Sequence, residues 1–141
     1  MMQDFQTIAD DFAFLDDWDD RYKYLIDLGR SLDPYPEDHR DDAHKVRGCA
    51  SQVWLTHTVQ EDPDGTKTIR LFADSDAHIV RGLVALVLSL YSGKTPAAMA
   101  NIDAIDALKP LDLHDHLTPQ RSNGLSAMIK SVNALADTHN N

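Results

Sequence analysis

Gln52-Val53-Trp54-Leu55-Thr56-His57-Thr58-Val59-Gln60 alternates with period 2, Val53, Leu55 and Val59 on one face and Trp54, Thr56 and Thr58 on the other. Pro63-Asp64-Gly65 follows as a turn, and alternation resumes from Lys67 to Ala73 through Ile69 and Leu71. The link is too short for a crossover, so the two runs predict an antiparallel β-hairpin. Lys45–Arg47, just upstream, is a candidate third strand. Downstream, Asp74-Ser75-Asp76 is placed to cap a helix from about Ala77 to Tyr91, with Gly93 past its end. Ile79, Val80, Leu83, Val84, Leu86, Val87, Leu88 and Leu90 cover most of that helix's circumference, which predicts a buried, central member of the core.

Further out, Thr95-Pro96 begins a shorter helix, and residues 103–116 read as turns or short helical pieces. Thr118 as N-cap and Pro119 at the first helical position open a last long helix, whose stripe is Leu125, Met128, Ile129, Val132 and Leu135. On the N-terminal side a helix starts at Asp16 or Asp17, with Trp18, Tyr22, Leu25 and Leu32 at helical spacing. Asp33-Pro34-Tyr35-Pro36 stops it, and a helical turn is expected around Phe5, Ile8 and Phe12. Helices, a hairpin, then more helices make the fold class α+β, with helices packed on one face of a small antiparallel sheet of two or three strands. At 141 residues, 1–141 is expected to be one domain.

The net charge of −10 is uneven. Residues 1–44 hold 13 acidic side chains against 4 basic ones, and residues 45–141 hold 10 against 9. An acidic chain without a basic stripe argues against nucleic acid and anionic lipid as partners. The longest apolar stretch, Leu83 to Leu90, is too short to span a bilayer. Met-Met-Gln-Asp-Phe-Gln at the N-terminus lacks the order of a secretory signal, and one cysteine makes no internal disulfide, so the expected compartment is the cytoplasm.

That cysteine, Cys49, stands in Val46-Arg47-Gly48-Cys49-Ala50-Ser51-Gln52-Val53-Trp54. On composition alone a single thiol is a small inert core residue. Gly48 beside it frees the backbone, the loop position gives access, and Lys45 and Arg47 are expected to favour the thiolate. The residues leave open which reaction a reactive thiol would serve. A protease-like Cys-His pair has no local signature, and His114-Asp115-His116 reads as a polar turn before a helix rather than a metal site. Trp54 is expected to pack on the sheet, with cover of the thiol as a second role. Arg121 lies in the first turn of the last helix, where a cation is electrostatically disfavoured, so it is either an exposed, screened charge or meets an acid, in this chain or in a partner, with Asp74 the favoured internal candidate. Gly124 suggests a close backbone approach.

Four stretches together resemble the SufE family, sulfur-acceptor partners of cysteine desulfurases in iron–sulfur cluster biogenesis. Gly48-Cys49-Ala50-Ser51-Gln52-Val53-Trp54 is similar to the family's cysteine signature, with Ala50 where Gln is common. Trp18 with Arg21-Tyr22-Lys23-Tyr24-Leu25-Ile26-Asp27-Leu28-Gly29 resembles its N-terminal helix. Asp74-Ser75-Asp76-Ala77 with Ile79-Val80-Arg81-Gly82-Leu83 resembles a helix start, and His116-Leu117-Thr118-Pro119-Gln120-Arg121-Ser122-Asn123-Gly124-Leu125 the C-terminal motif. The resemblance spans about residue 5 to residue 136; the CsdE branch shares the motifs and is not separated from SufE by them.

The resemblance implies a fold shared with IscU-type cluster scaffolds and gives Cys49 the role of persulfide acceptor, with Gly48, Ser51, Gln52, Trp54, Asp74 and Arg121 supporting it or facing a partner. It implies a SufS-like or CsdA-like desulfurase as donor, a SufBCD-type scaffold as recipient, and no resident cofactor, pyridoxal phosphate belonging to the desulfurase. A carrier of this kind accelerates an enzyme without being one. Two other classes compete: a cluster scaffold, for which one cysteine is too few, and an adaptor that stimulates a desulfurase without accepting sulfur. A persulfide is easily lost if exposed, so the thiol is expected to be sheltered by apolar neighbours, in a loop that moves on docking.

Overall fold

A computed structural model describes residues 4–49 and 51–140; Met1–Gln3, Asn141 and Ala50, the departure from the cysteine signature, lie outside the described residues. Helix α1 (Phe5–Phe14) is capped by the Asp4 carboxylate, which accepts from the Thr7 N–H, and α2 (Trp18–Arg30) by Asp17, which accepts from Asp19 N–H. After the prolines, residues 37–39 and 42–44 make single 3₁₀ turns. Strands β1 (Val53–Glu61) and β2 (Lys67–Ser75) pair antiparallel from Val53 opposite Ser75 to Glu61 opposite Lys67. Gly65, at φ +86°, turns the chain between them, the conformation glycine adopts without a Cβ clash.

The third strand is reduced to a bridge between Lys45 and Trp54, with Val46 N–H donating to the Val53 carbonyl at 2.8 Å. Gly48 follows at φ +91°, and its left-handed backbone turns the chain away before a ladder can extend.

Helix α3 (His78–Tyr91) is the core's centre, with Ala85, Leu86 and Val87 at 0% exposure. The expected cap at Asp74-Ser75-Asp76 is corrected: β2 runs through Ser75, Ala77 is the N-cap, and it makes no side-chain cap bond. The three polar residues are engaged elsewhere, Ser75 Oγ accepting from Ala77 N–H and Asp76 Oδ1 from Gln52 N–H. Thr95 caps α4 (Pro96–Ala100), Asp103 caps α5 (Ala104–Leu108), and 3₁₀ turns at residues 109–111 and 114–116 lead to α6 (Pro119–His139), capped by Thr118.

Ile69, Leu71, Ala73 and Ser75 of β2 face inward, against α3. On β1 both Val53 and Trp54, adjacent residues on opposite faces, are buried, at 2% and 8% exposure. The second face is covered by the 34–47 segment rather than by solvent: Arg40 lies 4.9 Å over the Trp54 ring and 5.2 Å over buried Tyr35, and His39 Nδ1 is 2.7 Å from Thr56 Oγ1. On the opposite face, that of Val53 and Leu55, Val59 toward the hairpin tip is exposed.

Candidate functional site

Cys49 is half-buried at the edge of the core, where the bridge at Lys45 ends and Gly48 turns the chain toward α6. Its thiol donates to the Gly124 carbonyl of α6 across 3.6 Å. A cavity of about 260 Å³ surrounds the sulfur, lined by Cys49, Ser51, Val80, Thr118, Gln120, Arg121 and Gly124. The close approach expected at Gly124 is to the thiol itself: a Cβ there would stand 3.6 Å from Cys49 Sγ, filling the space the sulfur faces.

Burial pushes the Cys49 thiol's pKa up. The expected lowering by Lys45 and Arg47 is corrected, because the side chains lining the sulfur's cavity do not include them; both line a separate groove beyond Gly48. The seated sulfur is therefore mostly thiol at neutral pH, hydrogen-bonded and quiet. Alkylation of folded protein by iodoacetamide should be slower at pH 7 than that of the urea-unfolded chain. Its rate should go on rising at pH values where the unfolded chain's rate has levelled off. A folded-state profile that levels at lower pH than the unfolded one would show that the thiolate is stabilised in its seat.

The flanks of the loop are pinned. Gln52 N–H donates to Asp76 Oδ1 at 3.1 Å, and Asp76 N–H to the Gln52 carbonyl at 3.3 Å. This reciprocal pair holds the exit of the cysteine loop against the end of β2, leaving Gly48 as the permissive point on the other side.

The pairing expected between Asp74 and Arg121 is corrected. Asp74 accepts Arg40 Nη2 at 3.0 Å, and its other oxygen is 3.0 Å from Arg81 Nε, an ion contact outside hydrogen-bonding geometry. The carboxylate sits at the base of the hairpin opposite Trp54, so it is near residues of the 34–47 cover and of α3. Arg121 is exposed on the rim of the thiol cavity and has no ion-pair partner among the described residues. Trp54 serves the sheet and Arg40; it is not among the residues lining the thiol's cavity. Asp74→Ala should cost about 1–3 kcal/mol, because Arg81 Nε stays buried without its anion, while Arg40 loses one of its two carboxylates and keeps Glu37. Urea unfolding measures it, and a midpoint equal to the native one would show the network to be neutral.

Val80, Thr118 and Gln120 complete the cavity without having been singled out as site residues. Val80 reads as one more apolar position of a buried helix, and Thr118 as a cap, so no local signal sets them apart. Trp18 stacks on His116 with ring centroids 3.8 Å apart, and Tyr22 Oη donates to the His116 carbonyl. The N-terminal helix thereby fixes the turn that launches α6. Stretches distant in sequence thus converge on one thiol: 46–54 carries it, 74–83 pins its exit and walls it, 116–125 closes it, and 18–29 braces that closure.

The family model described as "SufE: Fe-S metabolism associated domain" matches residues 6–136. An uncharacterized SufE-like protein of Rhizobium meliloti is 48% identical over 137 residues, covering 96% of each chain. Another, of Rhizobium etli, is 48% identical over 131 residues, covering 93% of this chain and 88% of the relative. The solution structure of a hypothetical protein from Thermus thermophilus superposes with a TM-score of 0.74 over 96% of this chain and 94% of that one, at 19% identity, and so shares the fold. No helix among the described residues is long and apolar enough to cross a membrane.

Proposed function

We propose that this chain, which belongs to the SufE family and so to a family associated with Fe–S metabolism, is the sulfur acceptor and activator of a cysteine desulfurase, with Cys49 as acceptor. The observation that carries this reading is the seat of the thiol: the chain's single cysteine, half-buried against α6, with room beside it and a glycine hinge at φ +91° before it. An inert core cysteine needs neither a cavity nor a hinge.

In the proposed reaction the Cys49 thiol leaves the Gly124 carbonyl, loses its proton to water or to a base of the partner, and attacks the outer sulfur of the desulfurase's cysteine persulfide. A sulfur–sulfur bond forms to Cys49 as the bond to the desulfurase cysteine breaks; that cysteine departs as a thiolate and takes up a proton. One zero-valent sulfur moves and no external oxidant or reductant is consumed. Pyridoxal phosphate chemistry, which generates the donor persulfide, belongs to the desulfurase. The loaded Cys49 then delivers its sulfur to a SufBCD-type scaffold. Val80 and the α6 backbone shelter the persulfide between partners, and pivoting at Gly48 exposes it.

Acting as a cluster scaffold is less consistent with the side chains: among the described residues no three of His, Cys, Asp and Glu stand together to hold a metal. Intact mass measurement after incubation with a desulfurase and cysteine tests the proposal. One added sulfur atom, mapped by peptide analysis to Cys49, is expected; active turnover with no added mass would sink the acceptor role.

A further inference from the structure

A groove of about 480 Å³ lies next to the thiol's cavity, sharing the Gly48 loop and α6 with it. Its walls are Lys45, Arg47 and Gly48 on one side and Asn123, Ser126, Ala127, Lys130 and Ser131 on the other. In a chain of net charge −10, these walls carry three cations and no carboxylate. Asp42 partly offsets them from the margin, with its carboxylate 3.7 Å from Lys45 Nζ and its carbonyl 3.5 Å from Arg47 Nη2. Lys130 has no ion-pair partner among the described residues, and Arg47 has none beyond that carbonyl contact. Asn123, Ser126 and Ser131 add uncharged polar groups along the same face.

Building on the acceptor reading, we propose that this groove docks an acidic segment of the sulfur donor, the desulfurase, and that the docked segment presses on the Gly48 hinge. Charge complementarity selects the occupant: three cations and neutral hydrogen-bonding groups suit side-chain carboxylates. The chain as a whole carries a net charge of −10, which disfavours long polyanions such as RNA more than a short carboxylate segment that engages the groove alone. The timing selects the donor over the recipient. The groove exists while the thiol is seated against Gly124, and the donor is the partner that meets the protein in that state. Gly48 is exposed and forms part of the groove wall, so an occupant touches the residue from which the thiol loop must swing.

The test uses the full-length chain with Arg47→Glu and Lys130→Glu combined, both at exposed positions, against a control with the same charge change elsewhere, Lys67→Glu with Lys109→Glu. Binding of the desulfurase used for Cys49 loading is titrated at low and at high salt, and Cys49 loading is followed by intact mass. The groove variant should bind roughly tenfold more weakly at low salt, with the gap closing as salt screens it, while the control binds like the native chain. Loading of the variant should slow at limiting desulfurase and recover at saturation. The proposal is overturned if the native chain is loaded and the groove variant binds with unchanged affinity and salt dependence, or if the control weakens binding equally. It is also overturned if the variant loses binding to a scaffold, RNA or anionic vesicles while its desulfurase binding is intact. A native chain that binds the desulfurase but never gains sulfur refutes the acceptor role instead, and the groove's part in docking is then judged on the binding titration alone.

Discussion

Cys49→Ser should abolish sulfur acceptance altogether and return desulfurase turnover to its rate without this protein. Serine is nearly isosteric, and its hydroxyl can donate to the Gly124 carbonyl that the thiol now occupies, so the seat should stay closed and the fold intact. A hydroxyl, however, is not ionised at neutral pH and does not exchange with persulfides. The variant should therefore still bind the desulfurase while accumulating no added mass. Turnover measured as alanine release separates the two roles a docked protein can have. A carrier relieves the enzyme of its persulfide and fails when the acceptor atom is removed. An adaptor works through contact and survives the change. Stimulation by Cys49→Ser equal to that of the native chain would assign this protein to the adaptor class, whatever sulfur Cys49 acquires.

The distinction matters because the seated thiol is poorly reactive by itself. Its pKa is raised by burial, and the cations expected to lower it line the neighbouring groove. On the proposed reading, reactivity is released rather than built in, by moving one sulfur off one carbonyl. One geometry would, on that reading, give two properties: resistance to stray oxidants when the protein is alone, and sulfur acceptance in complex. Arg121, exposed on the cavity rim without an internal ion-pair partner among the described residues, is available to an approaching anion once that movement begins.

The fold was legible where the residue pattern itself carries the geometry. Period 2 on either side of Pro63-Asp64-Gly65 marks the hairpin, because a short link allows only antiparallel pairing, and the apolar girdle of residues 79–90 marks a helix enclosed on most sides. Asp74-Ser75-Asp76 misled because Ser, Asp and backbone amides form the same short-range bonds at a strand end as at a helix start. Here β2 keeps the ladder to Ser75, and the side chains tie Gln52, Arg40 and Arg81 instead. Lys45–Arg47 resembled a strand and makes one bridge, since Gly48's backbone conformation ends the pairing. Of the site, Cys49, Gly48, Gly124 and Arg121 could be picked out as unusual residues in their settings. Their mutual arrangement could not, because what brings Arg121 beside Cys49 is the 18–29 helix bracing residue 116, a contact across 94 positions for Tyr22.

Gly82→Ala should be the most damaging conservative change in the protein, with a stability loss of about 2–4 kcal/mol and a fall in Tm of roughly 10 °C. Helix propensity argues the other way, since alanine in a helix interior gains about 1 kcal/mol over glycine. The packing decides. A Cβ on Gly82 would lie 2.1 Å from the Leu25 carbonyl oxygen and 2.6 Å from its carbon, inside contact distance of the α2 backbone. No rotamer relieves a clash of Cβ with backbone, so α2 and α3 must separate. Gly29 faces the same crossing from the other helix, where an added Cβ would meet Gly82 N at 2.8 Å and the Arg81 carbonyl carbon at 2.9 Å. Gly29→Ala should thus be damaging too, but less so. The injury should extend to the thiol. Val80 and Arg81 precede Gly82 on α3, one walling the Cys49 cavity and the other contacting Asp74. Leu25 and Gly29 share α2 with Tyr22, which fixes the entry to α6. Separating the helices loosens both sides of the sulfur's seat at once. Gly82→Ala is therefore expected to raise the iodoacetamide reactivity of Cys49 at temperatures well below its own unfolding, with Gly29→Ala intermediate in both measurements. A Gly82→Ala protein that melts like the native one would mean that the two helices yield at this crossing; one that melts early with unchanged Cys49 reactivity would mean that the seat is held by β2 and α6 without help from α3.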